Sequence, residues 1–372
     1  MHITPFAVEQ WMNETETRCI HNLAETCVHS ISLSELRELS GVNGGLLDGL
    51  ESRPLTYGAI EGSERLRNAI AATYADHDPA RILTTHGTIG ANDLVWRALA
   101  EPGDKVVSIV PTYQQHTAIP ASLGAEVVEL RLRAEEAYLP DLDALKRLAR
   151  GAKAISLVNP NNPTGALVPE EMLRGIVEIA AIEGAYVICD EVYRGTGQSG
   201  DGLTASIVDL YDKGIATGGL SKAYALAGLR VGWIAGPKDV LAAAMQHRDY
   251  TTISVGVLDE HLAALALEAR EALLRRARQI TRANLDVLSN WVDETPEVSW
   301  VRPTGGTVTL LSYQASTGSY DFCRALLEET GVFLTPGAAF GEEGTLRIGF
   351  ANKPQALRDG LPKLGSFLRA QA

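Results

Sequence analysis

Between Gly218 and Gly232 the chain reads GGLSKAYALAGLRVG, with a single lysine, Lys222, set among small residues and a single arginine, Arg230, eight positions further on. An amine on a loop of small residues can reach a carbonyl carbon and form a Schiff base. A nearby guanidinium is shaped to take a phosphate or carboxylate in two parallel hydrogen bonds. The same pattern also describes a glycine-rich turn entering a surface helix, with both cations in water. Other residues have to separate the two readings.

Three further stretches carry unusual polar side chains. In THGTIGAN, Thr85 to Asn92, two glycines and small residues lead into a helix start, where unpaired N–H groups and the helix dipole favour an anion. Neither the GxxxxGKS/T pattern of triphosphate loops nor the GxGxxG of dinucleotide folds is present. NPNNPTG, Asn159 to Gly165, is a rigid extended loop that holds carboxamides at fixed positions. YVICDEVYRG, Tyr186 to Gly195, closes an apolar strand on an acidic pair, with Tyr193 three residues after Asp190. A buried aspartate is costly unless it meets a cation or a donor, although a helix cap would also use one. As a set, the four stretches supply an amine, an anion cradle, a carboxamide, a carboxylate with a phenol, and a guanidinium. Pyridoxal 5′-phosphate (PLP) requires all of these: an amine for its aldehyde, an anion for its pyridinium nitrogen, and N–H groups with an arginine for its phosphate.

Residues so far apart need converging elements to meet. From about Leu55, helical segments alternate with short β-branched runs such as KVVSIV, AEVVEL, AISLV, AYVICD and KGIAT, bounded by Gly, Pro and Asp. This alternation predicts an α/β fold with a mainly parallel sheet covered on both faces, its ligands held at the carboxyl ends of the strands. After about Asp239 the chain turns helical and then closes with GTVTLLSY, GVFLT and TLRIGF, a smaller α+β unit. The expected division is a lead over residues 1–45 packing with the small domain, a large cofactor domain over 46–255 and the small domain over 256–372. A length of 372 residues, 45% hydrophobic and 21% charged, suits a soluble two-domain protein. The formal net charge of −13 argues against nucleic acid or an anionic membrane as partner and suits a small cationic substrate. MHITPFAVEQW lacks a signal-peptide pattern, and no apolar run approaches the roughly 20 residues that span a bilayer. Cys19, Cys27, Cys189 and Cys323 have neither CxxC nor disulfide-framework spacing. A reduced cytoplasmic enzyme without a metal site is the expectation.

The motif set resembles the fold-type I PLP enzymes of the class I/II aminotransferase family, from TYGAIEGSERLRNAIA through EPGDKVVSIVPTYQQH, NPNNPTG and CDEVY to LSKAYALAGLRVGW and LRIGF. The resemblance implies that Lys222 forms the Schiff base and then shuttles the Cα proton, and that Asp190 pairs with the pyridinium. It implies that Asn162 and Tyr193 bond the ring 3-oxygen and that Tyr113 stacks on the ring. Thr88 and Ile89 would offer N–H groups to the phosphate, joined by Arg230, and Tyr57 would reach the phosphate of the second subunit of a homodimer. Arg347 would hold the substrate α-carboxylate. The family usually has a serine three residues before the lysine, and here that position is Gly219; either Ser221 or Thr217 compensates, or the phosphate is held with one contact fewer.

The lead, Glu9 to Leu36, carries Glu14, Glu16, Glu25 and His29. It reads as an amphipathic docking helix, or as a lid whose carboxylates, Glu16 among them, meet a cationic substrate side chain while His29 acts in proton transfer near Cα. The lead is similar to that of the oxygen-using PLP-dependent arginine oxidases and hydroxylases of bacterial natural-product pathways. That resemblance implies oxidative deamination of L-arginine to a 2-ketoarginine product, with O2 as co-substrate and hydroxylation as a further outcome. The alternative is a conventional aminotransferase passing nitrogen to a 2-keto acid such as 2-oxoglutarate.

Overall fold

The computed structural model describes residues 2–75, 78–314 and 316–371. The lead is broken into pieces. Helix α1, Ala7–Thr15, buries Val8, Trp11 and Thr15, one stripe at helical spacing. A 3-10 turn at Glu16–Arg18 ends it, and a two-residue strand β1, His21–Asn22, follows. Helix α2, Leu33–Ser40, starts at a capping box between Ser32 and Glu35 and stops at Gly41, whose φ of 65° suits glycine.

The central sheet contains β2 (Ile82–His86), β3 (Lys105–Val110), β4 (Glu126–Arg131), β5 (Ala154–Val158), β6 (Tyr186–Asp190), β7 (Gly214–Gly219) and β8 (Val231–Ala235), in the order β2-β8-β7-β6-β5-β3-β4. From β4 to β7 every pairing is parallel. All five residues of β5 are buried, the signature of a strand covered on both faces. β8 was not foreseen and runs antiparallel to both β2 and β7. Its Gly232 explains the weak sequence signal: a Cβ there would overlap the backbone of Gly87 at the turn out of β2. Helix α3, Glu64–Ala71, packs outside the sheet, and helix α4, Gly87–Leu99, springs directly from the end of β2. The N-terminus of α4 therefore opens where the strands end.

A second sheet, β9 (Val298–Trp300), β10 (Val308–Tyr313), β12 (Thr335–Pro336) and β13 (Thr345–Gly349), is antiparallel in the order β12-β13-β10-β9. After the helix Ser319–Thr330 comes β11, Val332–Phe333, which pairs in parallel with β1 of the lead. Trp11 stacks on Phe333 at 6.2 Å and donates Nε1–H to Leu334 O at 2.9 Å, so Trp11, Leu23 and Ala24 of the lead belong to this second core, while Leu36 of α2 packs in the first. Leu262–Leu267, Leu273 and Leu274 pack in the first core and Leu285, Leu288 and Val292 in the second. The helix Arg270–Asp293 thus passes from one core to the other. Among the described residues no helix is long and apolar enough to cross a membrane.

Candidate active site

A cavity of about 490 Å³ lies where β5, β6 and β7 end, roofed by the lead. Thr88, Ile89, Tyr113, Asn162, Asp190, Tyr193, Ser221, Lys222, Arg230, Arg347 and Glu16 all line it. Two expected residues do not. Tyr57 is 72% exposed and stands outside this lining. His29 is also outside it: its carbonyl accepts from Arg276 Nη1 at 2.8 Å, and burial with the charges of Lys353 and Arg276 pushes its pKa down. Of this part of the lead, Glu25 and Thr26 line the cavity and His29 does not.

Asp190 closes β6 almost fully buried, and the structure supplies the donors that such a carboxylate needs. Asn92 Nδ2 donates to its Oδ2 at 2.8 Å and Val192 N to its Oδ1 at 3.0 Å. His116 Nε2 stands 3.7 Å from Oδ2, and its Nδ1 is bonded to Ser156 Oγ at 2.9 Å. Thr217 Oγ1 donates to Asn92 Oδ1 at 2.6 Å and fixes which way that amide faces. Asn92 and His116 were missed in the sequence, although each sits in a quoted motif, THGTIGAN and PTYQQH.

At the start of α4, Thr88 Oγ1 is buried without a partner among the described residues. A Cβ added at Gly219 would overlap this oxygen. Thr217 is already committed to Asn92, so it does not replace the missing serine; Ser221 remains in the lining. Arg230, held at a φ of 52°, crosses the same cup, and a Cβ on Gly87 would come 2.8 Å from its Nη2. An unpaired hydroxyl, a helix N-terminus and a guanidinium at one end, with a hydrogen-bonded carboxylate at the other, fit a phosphorylated pyridine aldehyde.

Lys222 sits between these ends, with Nζ 2.5 Å from Thr26 Oγ1 and 3.4 Å from Cys27 Sγ. Burial disfavours its ammonium, but Cys27, Tyr193 and Glu25 outweigh it and hold its pKa above the ordinary lysine range. Arg347 on β13 is 2% exposed and its pKa is lowered by burial. Its Nη1 donates to Asn162 Oδ1 at 3.2 Å and its Nη2 to Thr335 Oγ1 at 3.1 Å, while Nε has no partner among the described residues. A substrate carboxylate is the natural complement of that guanidinium.

Over the mouth lies α1. Tyr113 OH donates to Glu9 Oε1 at 2.7 Å, Phe6 packs on the Tyr113 ring at 4.8 Å, and Gln114 bonds both Ala7 N and Pro5 O. Glu9, Glu16 and Glu25 face the cavity, whereas Glu14 does not. Burial, followed by the charge of Glu25, raises the Glu16 pKa. The cavity therefore presents a guanidinium for one end of a ligand and three carboxylates from the lead.

Residues 48–361 match the family described as aminotransferase class I and II. Capreomycidine synthase of Streptomyces vinaceus is 31% identical, over 98% of this chain and 94% of its own length. The arginine–pyruvate transaminase of Pseudomonas aeruginosa is 26% identical, over 86% of this chain and 84% of its own. Among solved structures, a PLP-dependent aminotransferase from Streptococcus suis superposes with a TM-score of 0.96 at 42% identity, covering 100% of this chain and 99% of that one.

Proposed function

The chain belongs to the class I and II aminotransferases, PLP-dependent enzymes of fold type I, and on that premise we propose that it acts at the α-amino group of an L-amino acid with a cationic side chain, L-arginine foremost. The observation that carries this reading is the shared cavity of Arg347 with Glu9, Glu16 and Glu25. Bound there, PLP supplies an electron sink for negative charge developing at the substrate Cα. Lys222 Nζ is the base that takes the Cα proton, and Asp190, oriented by Asn92, keeps a proton on the pyridine nitrogen. Tyr113 covers the ring face, Thr88, Ile89, Ser221 and Arg230 grip the phosphate, and Asn162 with Tyr193 meets the ring oxygen. Arg347 binds the α-carboxylate and α1 shuts water out of the mouth. Tyr57, exposed beside Leu55 and Ile60, is suited to reach a second copy of the chain in a homodimer.

The fate of the electrons is the finer part of the proposal. The lead's resemblance to arginine oxidases supports O2 as acceptor, giving a 2-ketoarginine product and ammonia. Similarity to an arginine–pyruvate transaminase favours the second reading, amino transfer to a keto acid. In that case the three lead carboxylates repel a second carboxylate on the acceptor, so a monocarboxylic keto acid fits and 2-oxoglutarate does not. Incubation with L-arginine and no keto acid separates the two. Oxygen uptake with ammonia release over many turnovers is expected; a single half-turnover restarted only by a keto acid leaves the aminotransferase.

A further inference from the structure

The lead grips the Lys222 loop at both backbone and side chain. Val28 N donates to Lys222 O and Ile31 N to Ala225 O, each at 3.2 Å. Between them Ala225 holds a φ of 60°, a conformation that residues with a Cβ seldom adopt without outside support. The lysine amine then reaches back to the same segment, to Thr26 Oγ1 and Cys27 Sγ. Thr26 is itself fixed, because its carbonyl accepts from Thr307 Oγ1 at 2.6 Å and the adjacent Cys27 N donates to Glu25 Oε1 at 2.7 Å.

We propose that Thr26 is the positioning residue for the reacting amine: when substrate has displaced Nζ from the cofactor, the Thr26 hydroxyl receives it and aims it at the substrate Cα. The chemistry of the receiving group suits the task. A lysine side chain has four rotatable bonds, and once free it loses the alignment that makes an intramolecular proton transfer fast. A carboxylate in direct contact would add a further charge holding the proton on the amine; a hydroxyl accepts a hydrogen bond from it without adding one. In the step itself neutral Nζ takes the Cα proton, and the resulting ammonium donates one hydrogen bond to Thr26 Oγ1. The Cys27 thiol is a longer, weaker contact to the same atom.

The inference rests on Lys222 being the amine that holds PLP, so borohydride reduction of the wild-type holoenzyme and peptide mass spectrometry come first. Cofactor fixed on another residue overturns both that assignment and the proposal. The test then compares Thr26→Val, which keeps the volume and removes the hydroxyl, with Thr26→Ser, which keeps the hydroxyl. With L-arginine deuterated at Cα, Thr26→Val is expected to slow loss of the label to solvent about tenfold with KM within about twofold, and Thr26→Ser to restore the rate. In apo-protein at pH 8, Lys222 of Thr26→Val should be acetylated by acetic anhydride about tenfold faster than wild type, because an ammonium without its acceptor loses its proton more readily. Equal slowing in Thr26→Val and Thr26→Ser, or unchanged acetylation and exchange in Thr26→Val, overturns the proposal.

Discussion

Thr88 Oγ1 and a side chain at position 219 compete for one space: the hydroxyl occupies the place that a Cβ on Gly219 would need. The departure at Gly219 is therefore matched by the residue across from it, and where we propose the phosphate binds, the hydroxyl comes from α4 instead of β7. Thr88→Ala is expected to weaken PLP binding about tenfold, the worth of one hydrogen bond to a charged group. Affinity for pyridoxal, which has no phosphate, should hold. Gly219→Ser alone should also weaken PLP, and Thr88→Ala combined with Gly219→Ser should recover part of the loss. Absorbance titration of apo-protein measures all four.

Replacing Glu16 by Gln should raise KM for L-arginine about tenfold or more, with KM for a neutral L-amino acid within about twofold. The effect is pH-dependent, with a definite sign. A cationic side chain needs the Glu16 carboxylate, and burial has raised its pKa, so arginine binding is lost as pH falls and is lost at a higher pH than an ordinary glutamate would give. KM against pH should therefore turn upward on the acid side in wild type and lie flatter in Glu16→Gln. Identical profiles would rule out contact with the substrate.

Glu191, next to Asp190, makes a separate contribution that concerns stability. Burial pushes its pKa from 4.5 up to about 7, while Ser206 and Ile207 N bond its Oε1 and its Oε2 has no partner among the described residues. A carboxyl whose folded pKa lies above its unfolded one stabilises the fold below the unfolded value, and that stability is lost as pH rises through the folded value. Between pH 4.5 and about 7 wild type should lose about 3 kcal/mol from this group, and Glu191→Gln should lose correspondingly less. Urea unfolding of the two holoproteins at several pH values provides the comparison.

His29→Ala should change turnover by less than about twofold, since the ring lies with Arg276, Lys353 and Glu35 outside the cavity lining. Steady-state kinetics with L-arginine, run beside Thr26→Val, tests the contrast between two residues three positions apart.

Legibility in the sequence followed how each residue is held. Asp190 is the last residue of β6, and Asn162 and Lys222 follow the ends of β5 and β7 by four and three residues, so strand pattern and loop chemistry point to them together. Arg347 lies inside β13 and was identified through the LRIGF resemblance. Asn92 and Thr26 were silent because their meaning lies in contacts across 98 and 196 residues, to Asp190 and Lys222, which no local pattern encodes. His29, three positions past Thr26, stands outside the cavity lining. A two-residue strand such as β1 has no period to detect, and β8 was hidden by Gly232.

Two rungs, His21 to Val332 and Asn22 to Phe333, fasten β1 to β11, and Trp11 anchors α1 to the same core. Glu9 and Glu16, which we propose to meet the substrate side chain, thus ride on elements fastened to the second core, whereas Thr88 and Arg230, which we propose to hold the phosphate, stand at the ends of the central sheet. A graft of residues 7–22 from a relative, which leaves Thr26 and its hold on Lys222 in place, is therefore expected to re-address the enzyme to another charge while its chemistry is retained.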